Sequence, residues 1–319
     1  MKSMQKLPYT GWSLLIALGL SACGGGGDGS SNAPAPSATR LSASNYEDVS
    51  RAAAMAYQLS LSTNSITGGG LQMATAQAAV EPLRKALRVQ ARASNTQVLP
   101  CSGGGRMVVT FNDANNNGLS DAGDSAVVEA QACKEDGTTT NGRVQVSMGS
   151  TSGSPSFGNY SASFEASYSD FTVQEANGDR VRIHGRMLLS LNQSGSTANW
   201  SMQAQNWELS ASYQGKTQSL LLNTRTEAQK VSNELRVVLG GNLSSSLVQG
   251  QTLTLSTPQT LLTVGTDDYP RSGQIVVRGS AGGTLRLSAI SNTQVRLELD
   301  ANDDGQFEIN QVKNWSELD

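Results

Sequence analysis

Asp113, Asn115, Asn117, Asp121 and Asp124 crowd oxygen-bearing side chains into one short stretch, and Gly118 follows the third of them. Counted from Asp113, the side-chain oxygens fall at positions 1, 3, 5, 9 and 12, glycine stands at 6, and Leu119 offers its carbonyl at 7. Hard oxygen donors at that spacing, on a turn that glycine allows to be sharp, are what a calcium ion requires. A second stretch, Asp300, Asn302, Asp304, Gly305 and Glu308, repeats the opening, with Phe307 at position 8. Its position 12 is Gln311, so its donor set is less complete. Asp, Asn and Gly also build polar turns between strands without any metal, and each loop carries both readings. A calcium ion held this way would bind weakly, at about 10⁻⁴–10⁻³ M.

The first of these stretches resembles the calcium loop of EF-hand and dockerin-type proteins. The resemblance covers those twelve residues only, and it implies calcium ligation by Asp113, Asn115, Asn117, Leu119, Asp121 and Asp124. Two features depart from it: the flanks alternate like strands, and Asp124 is shorter than the glutamate that usually closes such a loop in bidentate fashion.

Little else in the chain suits catalysis. His184 is the single histidine, which removes most histidine-base and metal-hydrolase chemistry. It follows Ile183 on the polar phase of an alternating segment, where a solvent-facing side chain is expected. The chain has no H-E-x-x-H, G-x-S-x-G or phosphate-loop spacing. Asp267 and Asp268 precede Tyr269-Pro270 and signal a turn. A net charge of −3 and a pI near 5.3 argue against nucleic acid as a partner. The expectation is a protein that is not an enzyme.

The segments around these loops set their context. Lys2 and Lys6 precede a compact apolar run, Trp12 to Leu20. That run falls short of the roughly 20 residues a spanning helix needs, and the arrangement is that of an export signal. It ends in Leu20-Ser21-Ala22-Cys23, which resembles the lipobox of bacterial lipoproteins. The resemblance implies removal of residues 1–22 and acylation of Cys23, with palmitate-type chains anchoring the protein to a membrane. Gly24, where an aspartate would favour the inner membrane, points to the outer membrane. Residues 23–40 then form the lipidated cysteine and a Gly/Ser/Pro linker. Once Cys23 is acylated, Cys101 and Cys133 are the remaining cysteines, and in an exported chain such a pair is expected to form a disulfide. Residue 117 lies midway between them, so strands near 106–111 and 124–131 should pair around Asn117-Gly118.

Residues 41–95 read as a helical segment packing on the β region, with helices over 43–60 and 71–93. Ser44 or Asn45 can cap the first, and Met73, Ala76, Val80, Leu83 and Leu87 mark the apolar face of the second. From residue 96 to 319 the period is two. Turn signals at Asn141-Gly142, Asn177-Gly178, Gln214-Gly215 and Gly282-Gly283 divide roughly twelve to fourteen strands. The expected fold is mainly β: a long antiparallel meander forming a curved sheet, a barrel or a sandwich, with two N-terminal helices. The low aromatic content, 5%, argues against an outer-membrane barrel.

The function expected is that of an envelope lipoprotein, a structural or interaction module stabilised by calcium. An alternative is a carrier of lipid or another amphiphile, because a curved sheet with helices at its mouth resembles the half-barrel carriers that move lipoproteins between bacterial membranes. A second alternative is glycan binding or adhesion, for which Tyr269 is the exposed aromatic candidate.

Overall fold

A computed structural model describes residues 38–62, 95–117, 121–135, 137–154, 159–213 and 216–318, all within one compact unit that runs from Pro36 to Asp319. The expected helix over 71–93 lies outside the described residues. One α-helix is described, α1 (Tyr46–Ser62), followed by the short β1 (Asn95–Pro100), β2 (Arg106–Asn112) and β3 (Ser125–Glu135). Long strands come next: β4 (Thr138–Ser154), β5 (Asn159–Glu175), β6 (Arg180–Ser194), β7 (Thr197–Tyr213) and β8 (Lys216–Val231). The series continues with β9 (Glu234–Ser245), β10 (Thr252–Val264), β11 (Ser272–Gly279), β12 (Thr284–Ala289), β13 (Gln294–Asp300) and β14 (Ile309–Asn314).

All fourteen strands belong to one antiparallel sheet, and their spatial order is their chain order. Each strand pairs with the next, as in a meander joined by hairpins. The sheet does not close, since β1 and β14 are its two edges. This corrects two of the expected architectures. A barrel would need β1 to pair with β14, and a sandwich would need the strands divided between two sheets.

Alternation gives the sheet a dry face and a wet face. Ile183, Met187 and Leu189 on β6 are buried, as are Trp200, Met202, Trp207 and Leu209 on β7. Helix α1 lies on the dry face against β8, β9, β11 and β12. Its buried side is mostly small, with Ala52, Ala53 and Ala56 beside Val49, so the helix axis comes close to the sheet. Tyr57 reaches farther, and its hydroxyl shares a 2.9 Å hydrogen bond with Thr263 of β10. Burial raises the Tyr57 pKa well above the usual tyrosine value. Asn45 does not cap the helix as expected. Its side chain turns back instead, accepting from Ser42 N–H and donating to the Arg40 carbonyl. The acidic first turn is used across elements, because Glu47 pairs with Lys313 on β14.

A line of close backbone approaches crosses the sheet. Gly142 on β4 faces Asp170 and Phe171 on β5, and Gly185 on β6 faces Asn206 and Trp207 on β7. Asp170 (φ 47) and Asn206 (φ 46) are left-handed residues at register shifts, the marks of β-bulges. A side chain at Gly185, where φ is +109, would put its Cβ 2.1 Å from the Asn206 carbonyl oxygen. Gly241 and Gly273 repeat the arrangement against β8 and β10. Asn141-Gly142, expected as a hairpin turn, is thus a bulge inside β4. Asn141 accepts there from the N–H of Ala132. Asn177-Gly178 and Gly282-Gly283 do lie at turns, between β5 and β6 and between β11 and β12.

Candidate functional site

The disulfide forms between Cys101 and Cys133, with Cα atoms 5.4 Å apart. It ties the β1–β2 turn to β3, and the register Arg106↔Gln131 through Asn112↔Ser125 places the hairpin around the expected tip. Met107, Val109, Phe111, Ala126, Val128 and Ala130 join the two cysteines in a buried cluster separate from the main core. Glu135 lies near the sulfurs, but both are spent in the disulfide, so this group is not a metal site.

At the tip, Asp113 and Asp124 are buried, at 2% and 0% exposure. Asp124 accepts from the N–H groups of Ala114 and Asp121, which pins the end of the loop to its beginning. Asp113 and the Asn115 side chain both accept from Asn117 N–H. Asp121 receives the amide groups of Asn115 and Asn117. Leu119 lies outside the described residues. The second loop sits between β13 and β14, and its Asp300 is also buried. Asp300 accepts from Asp304 N–H and Gly305 N–H, Asn302 accepts from Asp304 N–H, and Glu308 accepts from Ala301 N–H. Among the described residues, neither loop gathers three carboxylates within 4.8 Å of one another. A cation in either would draw on amide and backbone oxygens as well.

The second loop also touches the root of the linker. Thr39 and Leu41 pair with Ala281 and Gly282 at the β11–β12 turn, and Arg40 donates to the Ala301 carbonyl. Asp303 accepts from Gly283 N–H and from the Thr284 hydroxyl. These bonds, the backbone one first, hold its carboxyl below the usual aspartate range. Cys23 lies outside the described residues, and no helix among them is long and apolar enough to cross a membrane.

His184 faces solvent, with its Nδ1 3.6 Å from Asp170 Oδ1. Arg182 bonds both Asp170 and Glu208, and its hydrogen bond lowers the Asp170 pKa. Tyr269, the expected exposed aromatic, stacks on Trp315 at 5.7 Å between ring centroids and is half-buried.

A feature that residue types alone did not point to lies on the wet face. A trough of about 720 Å³ crosses β4 to β10, and a second of about 450 Å³ adjoins it. Serines floor both. Ser163 is opposite Ser190, Ser190 is opposite Ser201, and Ser201 is opposite Glu227, so one row runs across the strands. Ser150 joins that row through a 2.9 Å contact with Ser163, and Ser190 and Ser201 are 2.7 Å apart. Longer side chains wall the row on each side: Asn192, Asn199, Gln229 and Arg236 on one, Glu165, Gln203 and Arg225 on the other. The charged members are paired: Glu227 with Arg225, Arg236 with Glu234, and Glu165 with Arg186. Serine at alternate positions is visible in the sequence, but the registers that align four strands' serines are not.

On the dry face, Nε1 of Trp200, Nε1 of Trp207 and Oγ1 of Thr226 are buried with no hydrogen-bond partner among the described residues. Trp200 and Thr226 are diagonal neighbours on β7 and β8. No family model, curated protein or solved structure matches the chain.

Proposed function

We propose that this protein is an outer-membrane-anchored lipoprotein, held by acyl chains on Cys23, that acts without catalysis as an interaction module. The observation that carries this reading is the wet face of the sheet. It offers a serine-floored trough wide enough for a ligand, while the dry face packs against the core and α1. The chemistry of the lining supports binding rather than reaction, since hydroxyls, amides and paired charges hold no activated nucleophile beside a base. Calcium in the loops at Asp113 and Asp300 would stiffen two turns, and their buried carboxylates support that assignment.

The test uses the full chain in detergent micelles and detergent-washed bacterial envelope fragments. Ser190→Trp fills the floor of the trough from the solvent side. It should lower retention on the fragments at least five-fold while leaving the melting temperature unchanged. Equal retention of the two proteins would overturn the reading.

The unpartnered Trp200, Trp207 and Thr226 atoms favour a second reading, a carrier of an amphiphile on the dry face. A buried donor without an acceptor carries a desolvation cost that an ester or carboxylate oxygen would relieve. Native mass spectrometry of the full chain tests it. A bound acyl lipid that disappears in Trp200→Phe would support the carrier, and a lipid-free protein would exclude it.

A further inference from the structure

The ligand that the trough is built for can be narrowed, given that the trough is the interaction surface. Its charged side chains are already paired within the sheet, so the trough offers an ionic ligand little net charge to draw it in. A neutral ligand needs none. The floor serines and Asn192, Asn199 and Gln229 of the first wall are hydroxyls and amides, which both donate and accept. Ser190 and Ser201, bonded to each other, still retain a donor and acceptor lone pairs between them, and so do Ser150 and Ser163. A surface of this kind matches a ligand whose own groups both donate and accept along its length.

Shape adds a constraint. From Ser150 on β4 to Val238 on β9 the trough crosses five strand spacings, or about 24 Å at roughly 4.8 Å each. An elongated chain fits such a floor better than a compact molecule. A protein partner fits less well, because stable protein interfaces centre on buried aromatic or aliphatic anchors. Here Val238, 40% exposed, is the one large hydrophobic of the trough that stands clearly in solvent.

We infer that the trough binds a neutral, polyhydroxylated linear chain, a glycan, laid across the strands over the serine row. Without an aromatic platform for the sugar rings, affinity rests on many modest hydrogen bonds, and a polymer should bind better than a short oligomer.

Affinity gel electrophoresis of the full chain in detergent tests this. The probes are dextran, a linear β-1,3-glucan and a chitin oligosaccharide as neutral chains, with polygalacturonate as the acidic one. At least one neutral chain should retard the protein, polygalacturonate should not, and Ser190→Trp should weaken the retardation at least tenfold. Gln229→Ala lowers a wall instead of filling the floor, so a folding defect in Ser190→Trp would not leave the question open. It should weaken retardation several-fold. Retardation by none of the neutral chains, or by the acidic chain alone, overturns the inference. If envelope retention depends on Ser190 but no neutral chain binds, the ligand class falls and the interaction reading stands. If neither occurs, both fall.

Discussion

Replacing Gly185 with alanine tests the line of close approaches that lets this sheet bend. Two costs add. The backbone at φ +109 lies where an L side chain is strained, worth about 1–3 kcal/mol. The new Cβ would then stand 2.1 Å from the Asn206 carbonyl oxygen and 2.7 Å from Trp207 Cα, both backbone atoms that cannot swing aside. Forcing β6 and β7 apart is an overpacking cost of about 1–3 kcal/mol. The expected loss is therefore about 2–6 kcal/mol. Gly178→Ala isolates the first term, because φ there is +94 and a Cβ would meet nothing within 4 Å. Urea unfolding followed by tryptophan emission measures both, since Trp207 sits at the seam and is buried. Gly185→Ala should exceed Gly178→Ala by about 1–3 kcal/mol, the overpacking term alone. A difference below about 0.5 kcal/mol, the scatter of an ordinary surface change, would refute the argument that the backbones are locked together there.

Three further outcomes are expected. Removing the disulfide with Cys133→Ala should cost about 3–4 kcal/mol by loop-closure entropy over the separation of 32 residues. Because Met107, Val109 and Phe111 belong to the smaller core, hydrogen exchange should show protection lost in β1–β3 before β5–β13. Calcium at 10 mM should stabilise the protein by about 1.4–2.7 kcal/mol for each loop that binds in the 10⁻⁴–10⁻³ M range. Denaturant titration should find that increment with calcium and not with magnesium, and Asp113→Ala combined with Asp300→Ala should abolish it. Acid should weaken the fold through Asp267, Asp303, Asp170 and Glu47, whose pKa values lie below their ordinary ones because of Arg271, Gly283 N–H, Arg182 and Lys313 respectively. Their contribution is present above the unfolded pKa, near pH 4, and is lost as pH falls through the folded values. Urea melts from pH 6 to pH 2 should show that loss, and Asp267→Asn should reduce the slope below pH 4.

Much of the architecture was legible from alternation. A period of two over most of the chain implied an antiparallel meander; setting Cys23 aside for acylation left Cys101 and Cys133 to pair, and their midpoint marked a hairpin tip. Local chemistry also placed His184 on the wet phase beside buried Ile183. These are properties of neighbouring residues, and a strand declares its two faces within a few positions. Asn141-Gly142 shows where that logic stops. The dipeptide suits a turn and a bulge equally, and what decides is the backbone of β5 pressing against Gly142. Closure of the sheet was likewise undetermined, because barrel, sandwich and open sheet share one alternation pattern. The open edges at β1 and β14 follow from how strands far apart in sequence fail to meet. The trough depends on the same kind of information. Ser163, Ser190 and Ser201 are unremarkable serines on three strands until register puts them in one row. Register across many strands is set by bulges and packing over the whole sheet, so only the tertiary structure could turn scattered hydroxyls into a surface.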